Sequence, residues 1–413
     1  MTDPRSLVPT EVSHAGQTLL ITLAGPDRPG VTRRLFARLS EHPLLVVDVE
    51  QVVIRGQLVL GVLVAQPEGV PTALHEVAAA ATALGIELGF AVTASPGAGE
   101  RPVPERGRLH VTLLGAPLRP EAMAALAGCI ADHGGNIDRI ERLAAYPVTA
   151  IELLVSGADP AQLRPAMASE AARVGFDVAV QRAGLHRRGK RLVVMDVDST
   201  LIQGEVIEMI AEHAGCAEEV ADITAQAMRG EIDFAESLRR RVALLQGVPE
   251  SALAEVRDAV QLAPGARTLV RTLKRLGYQC GIVSGGFTAV TDALVDDLGF
   301  DFAAANVLEV ADGRLTGRVT GVVVDRAEKA RALVRFATQA GVPLTHTVAI
   351  GDGANDLDML EIAGLGVAFN AKPVVRQAAD AAVNVPYLDA ILYLLGVTRE
   401  EIDAADTEDT DRP

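Results

Sequence analysis

The chain alternates short apolar runs with amphipathic stretches, and the period of each stretch predicts its element. Within residues 19–93, LLITLAG reads as a strand and the turn GPDRPG leads into a helix, VTRRLFARLSEH. LVVDVEQVVI and QLVLGVLVA form a hairpin around Arg55 and Gly56, PTALHEVAAAATALG is a second helix, and IELGFAV is a closing strand. After a spacer rich in Pro, Gly and charge, the order βαββαβ returns in RLHVTLLG, PEAMAALAGCIADHG, NIDRIERLA, VTAIELLV, PAQLRPAMASEAARVG and FDVAVQRA. Aligning LLITLAG with LHVTLLG places Gly25 on Gly115. Two ferredoxin-like βαββαβ domains are therefore expected, over 17–95 and 107–183.

The pattern then changes. Leu192 to Met195 is an apolar run without alternation, the signature of a strand buried on both faces, and it ends abruptly at Asp196 and Asp198. Only helical patterns follow as far as Val260, so an all-helical insertion over about 202–260 is expected to sit above the end of that strand. Beyond it come a helix, the strand YQCGIVSGGF that breaks at Ser284, Gly285 and Gly286, and a polar hairpin. The helix DRAEKARALVRFATQAG carries Lys329 in its first turn, and HTVAIGDGANDLDML is a strand ending in Gly and Asp. Residues 190–400 thus read as an α/β domain, a Rossmann-like, doubly wound parallel sheet with a helical cap. The basic joint AGLHRRGK is expected to be a solvated linker, and the acidic end TEDTDRP to lack fixed structure.

Composition narrows the partners. The net charge of −16, with no basic stripe to offset it, argues against nucleic acid. Cys129, Cys216 and Cys280 are scattered and odd in number, without metal-ligand spacing, which suits buried thiols in a reducing compartment. The N-terminal residues lack the apolar core of a signal peptide, and no run approaches the roughly 18 apolar residues of a membrane span. A cytoplasmic location is the expectation, with no membrane partner.

The chemistry gathers at strand ends. A parallel sheet brings DVDST, SGG and GDGAND to one edge, and Asp196, Asp198, Asp352 and Asp356 crowded there would oppose one another's ionisation unless a cation joined them. All-oxygen donors favour Mg²⁺. The Ser284 hydroxyl, the N–H groups of Gly285 and Gly286 and the Lys329 ammonium then suit a phosphoryl group, whose transfer needs mainly positioning and charge neutralisation. Taken singly, Asp196 or Asp198 could be a helix cap and Lys329 a surface lysine; the ordered set points to chemistry.

In that order the four elements resemble the haloacid dehalogenase superfamily, and LAGPDRPGVTRRLFARLSEH resembles the first half of an ACT domain. The superfamily resemblance implies that Asp196 is a nucleophile forming an aspartyl-phosphate and that Asp198 is the general acid and base. It also implies that Lys329 holds the phosphate, and that Asp196, the Asp198 backbone carbonyl and Asp352 hold Mg²⁺ with Asp356 close behind. Glu205, Met228, Phe234 and Arg241 in the insertion are similar to the cap residues of the branch acting on O-phospho-L-serine. By that resemblance Glu205 receives the ammonium and Arg241 the carboxylate, Met228 and Phe234 line the pocket, and Asn355 binds the phosphate. The ACT resemblance implies amino-acid sensing, with L-serine as the expected effector and a homodimer as the expected assembly. Gly30 at a helix start could meet a carboxylate and Asp27 an ammonium, while in the second copy, which has GAPLRPE for GPDRPGV, Asn136 is the family-like residue. A phosphatase for another small phosphomonoester and a non-catalytic amino-acid sensor remain the alternatives.

Overall fold

A computed structural model describes residues 18–42, 44–65, 87–93, 107–228 and 231–410. The chain forms two compact units, Met1–Pro104 and Glu105–Pro413. In the first unit β1 (Thr18–Pro26), α1 (Val31–Leu39), β2 (Leu45–Ile54), β3 (Gln57–Ala65) and β4 (Glu87–Thr93) build an antiparallel sheet in the order β2-β3-β1-β4. Alternate residues Leu19, Ile21 and Leu23 of β1 and Leu58, Leu60, Val62 and Val64 of β3 face Val31, Leu35 and Leu39, which recur at four-residue spacing on α1. The helix expected over PTALHEVAAAATALG lies outside the described residues.

The second unit begins with the repeat: β5 (Leu109–Gly115), α2 (Pro120–Asp132), β6 (Asn136–Ala144), β7 (Thr149–Ser156), α3 (Pro160–Val174) and β8 (Asp177–Arg182). A short helix, α4 (Leu185–Arg188), leads to β9 (Leu192–Met195) and the helical insertion α5 (Val206–Ala214), α6 (Ala217–Met228), α7 (Phe234–Leu244) and α8 (Ser251–Ala259). The remainder runs α9 (Ala266–Arg275), β10 (Gln279–Phe287), α10 (Thr288–Leu298), β11 (Phe302–Ala311), β12 (Arg314–Thr320), α11 (Arg326–Ala340) and β13 (Thr347–Gly351). It closes with α12 (Leu357–Ile362), β14 (Gly366–Phe369), α13 (Pro373–Ala378), β15 (Ala381–Val383), α14 (Ile391–Leu394) and α15 (Arg399–Thr410). Of the acidic end expected to lack structure, 407–410 form the last turn of α15 and 411–413 lie outside the described residues; just before it, Asp406 of the same helix receives Arg271 and Arg275. No helix among the described residues is long and apolar enough to cross a membrane.

All the strands of this unit belong to one sheet, ordered β12-β11-β10-β9-β13-β14-β15-β8-β5-β7-β6. The repeat joins the parallel part through a single antiparallel pair, Ala381 with Ala179, which side-chain bonds reinforce. The Asn384 N–H, its side-chain amide and the Val385 N–H donate to the Asp177 carboxylate at 2.6, 2.5 and 3.1 Å. Gln181 donates to the Leu394 carbonyl at 2.8 Å, and Arg164 pairs with Asp380 at 2.6 Å. The basic joint corrects the expectation of a solvated linker. Arg187 is buried, forks onto the Glu152 carboxylate and donates to the Leu394 carbonyl at 3.2 Å. Lys190 is buried too, donating to the Thr345 carbonyl at 2.8 Å. Cations of a charge run can leave solvent when carbonyls and a carboxylate await them.

The joint makes the second repeat part of the same compact unit as the parallel sheet. A chain starting at residue 105 is expected to melt within a few degrees of the full-length protein's own transition, whereas one starting at 184 loses on the order of 10 °C, because buried polar partners are stranded and β15 gains an open edge. Equal melting temperatures in calorimetry for the two truncated chains would mean that the joint carries no stability.

Candidate active site

β9 lies at the centre of the parallel sheet, with β10 and β13 on either side. Met195 is opposite Ile282 on one flank and Ile350 on the other, so Ser284 and Asp352 each stand two residues past the ladder, beside Asp196. The Asp196 N–H donates to the Ile350 carbonyl at 2.9 Å, and its side chain accepts from Val197 N–H at 2.8 Å. The turn that follows needs Ser199 at φ 60°, a left-handed conformation uncommon for a side-chain-bearing residue and frequent at functional sites.

The register brings Asp196, Asp352 and Asp356 together: one carboxylate oxygen from each lies within 4.8 Å of the others. Lys329, wholly buried, reaches Asp196 Oδ1 and Asp356 Oδ1, both at 2.7 Å. Its helix is started by Asp325, whose carboxylate accepts the Glu328 N–H at 2.8 Å. Thr200 donates to Asp352 Oδ1 at 3.0 Å. Burial, and after it the charge of Asp356, raises the Asp196 carboxyl well above its usual range; the same two causes push Asp352 up to about 6. Lys329 is raised as well, because its two carboxylates hold it charged against the cost of burial. Three acids with one lysine retain excess negative charge, and all the donors are oxygens, so the cluster fits a divalent hard cation. The closely packed backbone accommodates it: a side chain on Gly351 would collide with Asp356, and one on Gly353 with Asn355.

Asp198 points elsewhere. One of its oxygens accepts the Val206 N–H at the start of α5 at 2.8 Å, and the other accepts the Ser284 hydroxyl at 2.9 Å. It therefore caps a helix and also touches the strand tip, so the capping and chemical readings coexist. Its carboxylate is absent from the three-acid cluster, where Asp356 stands instead. The Ser284 hydroxyl in turn accepts the Gly286 N–H at 2.7 Å.

Across this point lie the cap residues. Glu205 immediately precedes α5, and its carboxyl is pushed up to about 7 by burial and by Asp198, with Arg241 pulling the other way. Arg241 is buried within the insertion, donates to Thr224 Oγ1 at 3.5 Å, and has an enclosed Nε with no hydrogen-bond partner among the described residues. Such an orphaned guanidinium edge suits a carboxylate. Arg239 and Arg240 of the same run are exposed. Phe234, half-buried, packs over Gly285, where a Cβ would lie 3.0 Å from its Cζ. Met228 ends α6, and its side chain is outside the described ones. Asn355 sits half-buried in the turn Ala354–Asp356.

The ACT-like turns place Gly30 at φ 90° before α1, and the Asp27 N–H on the Gly56 carbonyl at 2.8 Å. Asn136 opens β6, its amide donating to Asp138 at 2.8 Å. Reading the sequence did not single out Thr200 or Asn306; for Thr200 the DxDST spacing after the strand was the available signal, whereas Asn306 lies in an ordinary strand pattern.

This sheet and its acid–lysine cluster define a haloacid dehalogenase-like hydrolase, whose family model matches residues 193–361, and such phosphatases use a divalent metal. ACT-domain models match residues 17–93 and 109–181. A phosphoserine phosphatase of Streptomyces coelicolor is 61% identical over 391 residues, covering 94% of this chain and 95% of that one. One of Mycobacterium tuberculosis is 52% identical over 398 residues, covering 95% and 96%. The crystal structure of a probable phosphoserine phosphatase from Vibrio cholerae, unliganded, superposes with a TM-score of 0.56 at 36% identity, covering 72% of this chain and 88% of that one. The chain belongs to the phosphoserine phosphatase family, in the form that carries two ACT domains, and is a hydrolase of phosphoric monoesters.

Proposed function

We propose that the chain hydrolyses O-phospho-L-serine to L-serine and phosphate through an aspartyl-phosphate on Asp196. One observation carries the reading: the Asp198 carboxylate touches Ser284 at 2.9 Å on one side and, at 2.8 Å on the other, the helix start that Glu205 precedes. An acid so placed stands between an anion cradle and an ammonium site, where a leaving serine oxygen would lie. Asp196 attacks phosphorus while the bond from phosphorus to the serine oxygen breaks, and Asp198 gives that oxygen its proton. Water then attacks the phosphorus, its proton passes to Asp198, and the bond to Asp196 is released. Ser284, Gly285, Gly286, Lys329 and Asn355 hold the phosphate; Glu205 and Arg241 hold the ammonium and carboxylate, with Met228 and Phe234 beside them. Asp196, the Asp198 carbonyl and Asp352 would hold Mg²⁺, with Asp356 adjoining, and the ion would neutralise charge on the phosphoryl oxygens.

Substrate choice is tested at Glu205. Phosphate release from phosphoserine should exceed that from erythrose phosphate, which has no ammonium for Glu205. Glu205→Gln should lower kcat/KM for phosphoserine about 10- to 100-fold at pH 8, as expected when a hydrogen bond to a charged group is lost. Because the wild-type carboxyl ionises near pH 7 before substrate binds, kcat/KM should fall as pH drops through that value. The ratio of wild type to E205Q must therefore shrink on the acid side. A constant ratio, or faster turnover of erythrose phosphate, rejects the assignment.

Regulation by L-serine bound at the ACT domains, through Asp27 and Gly30 of the first or Asn136 of the second, is the reading we favour for the amino-terminal half. ACT domains suggest an amino-acid effector, and the exposed Gly30 starts α1 at φ 90° with no side-chain cap, the kind of helix end that attracts a carboxylate. A homodimer is favoured by β2, an edge strand exposed along its whole length that includes Val46, Val49, Val52 and Ile54.

A further inference from the structure

We infer that Asn306, on β11, is a positioning residue for phosphoryl transfer, setting the Gly285–Gly286 peptide and tying it to the segment that starts the Lys329 helix. The pairing of β10 with β11 shifts register between Val283 and Phe287, so Ser284, Gly285 and Gly286 leave the ladder where the cradle forms. The Gly285 carbonyl thereby loses a strand partner. Asn306, only 1% exposed, supplies one: its Nδ2 donates to that carbonyl at 2.8 Å. On the same peptide, the Gly286 N–H donates to Ser284 Oγ at 2.7 Å, and that hydroxyl donates to Asp198. Holding the carbonyl of a planar peptide fixes the direction of its N–H, so Asn306 aims Gly286 toward the reacting side.

The other end of the same amide reaches a second motif. Asn306 Oδ1 accepts the Val324 N–H at 2.9 Å. Val324 directly precedes Asp325, the cap of α11, and Asp325 accepts the Lys329 N–H at 2.9 Å through its carbonyl. One side chain therefore spans the anion loop and the first turn that delivers the lysine. Its partners are a carbonyl and an N–H, so the site needs both a donor and an acceptor, as an amide provides. Phe234 of the cap meets the same place, since a Cβ on Gly285 would lie 3.0 Å from its ring and 3.8 Å from the Val324 carbonyl. A buried asparagine that merely satisfied its neighbours would stabilise the fold without affecting how phosphate is held; the two readings separate in binding constants.

The inference rests on Ser284 to Gly286 being the phosphate cradle, and the test distinguishes the two. Asn306→Asp keeps the acceptor for Val324 and turns the donor facing Gly285 into an oxygen, whereas Asn306→Ser reaches neither partner. With the Mg²⁺-loaded full chain, kcat and KM for phosphoserine and the Ki of inorganic phosphate are read beside the melting temperature. KM and Ki do not depend on the folded fraction, so a loss of stability cannot imitate the result. N306D should raise the phosphate Ki at least about tenfold and lower kcat/KM about 100-fold, within the range for a misplaced catalytic contact. N306S should do the same, and it carries the test if N306D yields no folded protein. A lower melting temperature with phosphate Ki and KM within twofold of wild type overturns the inference. Ser284→Ala is the control: if it too leaves the phosphate Ki unchanged, the cradle assignment itself is wrong.

Discussion

Asp196→Asn will abolish hydrolysis, lowering kcat by at least about 10⁴-fold, the scale seen when a catalytic nucleophile is removed, and will not lower the melting temperature. Both halves follow from the environment of the side chain. The amide has nearly the volume of the carboxyl in a site 3% exposed, and its oxygen can still accept the Val197 N–H. Replacing Asp196 also removes a charge that burial and Asp356 oppose, as the raised carboxyl indicates. Lys329 keeps Asp356 at 2.7 Å, so no cation is stranded. Without divalent metal the variant should match or exceed the wild-type melting temperature. Phosphate release above about 1% of wild type would dispose of the covalent route, because an amide oxygen cannot form the acyl phosphate.

Much of the fold is legible in the chain because its elements are locally self-consistent. The βαββαβ order recurs with an intact alternation of apolar positions, and the apolar run Leu192–Met195 can only be a strand covered on both faces. What escapes such reading depends on tertiary partners. The continuity of the second repeat with the catalytic sheet rests on one pair, Ala179 with Ala381, in two unremarkable apolar segments. Arg187 and Lys190 read as solvent-facing because their acceptors, Glu152, Leu394 and Thr345, are remote in sequence. The acidic C-terminal stretch is helical as far as Thr410, in a helix whose Asp406 meets Arg271 and Arg275 of α9.

The candidate site divides in the same way. Residue types at strand ends expose the acids, the SGG turn and Lys329, since charge in an apolar run is conspicuous. Asp198 shows the limit of that signal: the pattern DxD cannot say which carboxylate enters the three-acid cluster, and the geometry gives that place to Asp356. Thr200 and Asn306 are silent because a hydroxyl or an amide within a strand or turn is ordinary until its partners are known. The joint also determines how serine sensing can be tested. Removing residues 1–182 would strip Asp177 from Asn384 and Val385 and confound regulation with stability, so a cut at residue 104 is the informative one for the first ACT domain.

Lys329→Met carries the largest combined effect, on stability and activity together. The ammonium is 0% exposed and 2.7 Å from an oxygen of both Asp196 and Asp356, so its removal leaves two buried carboxylates without their shared cation. Breaking a buried pair from one side costs about 3–5 kcal/mol, equivalent to on the order of 10 °C in melting temperature for a unit of this size. The sign of the pH dependence follows from the shifts. Lys329 ionises above its usual value in the folded chain, so its stabilisation is fully present below the unfolded lysine value and is lost only as pH rises beyond it. In K329M Asp196 and Asp352, both already raised, bind protons more tightly folded than unfolded. The melting deficit in EDTA should therefore be largest near pH 8 and shrink toward pH 5, as protons neutralise the acids. kcat for phosphoserine should fall at least about 10³-fold at every pH, because the protons that restore stability cannot supply the positive charge that phosphoryl transfer uses. A deficit that grows toward low pH, or a K329M protein with near-wild-type kcat, would show that the lysine does not neutralise this cluster.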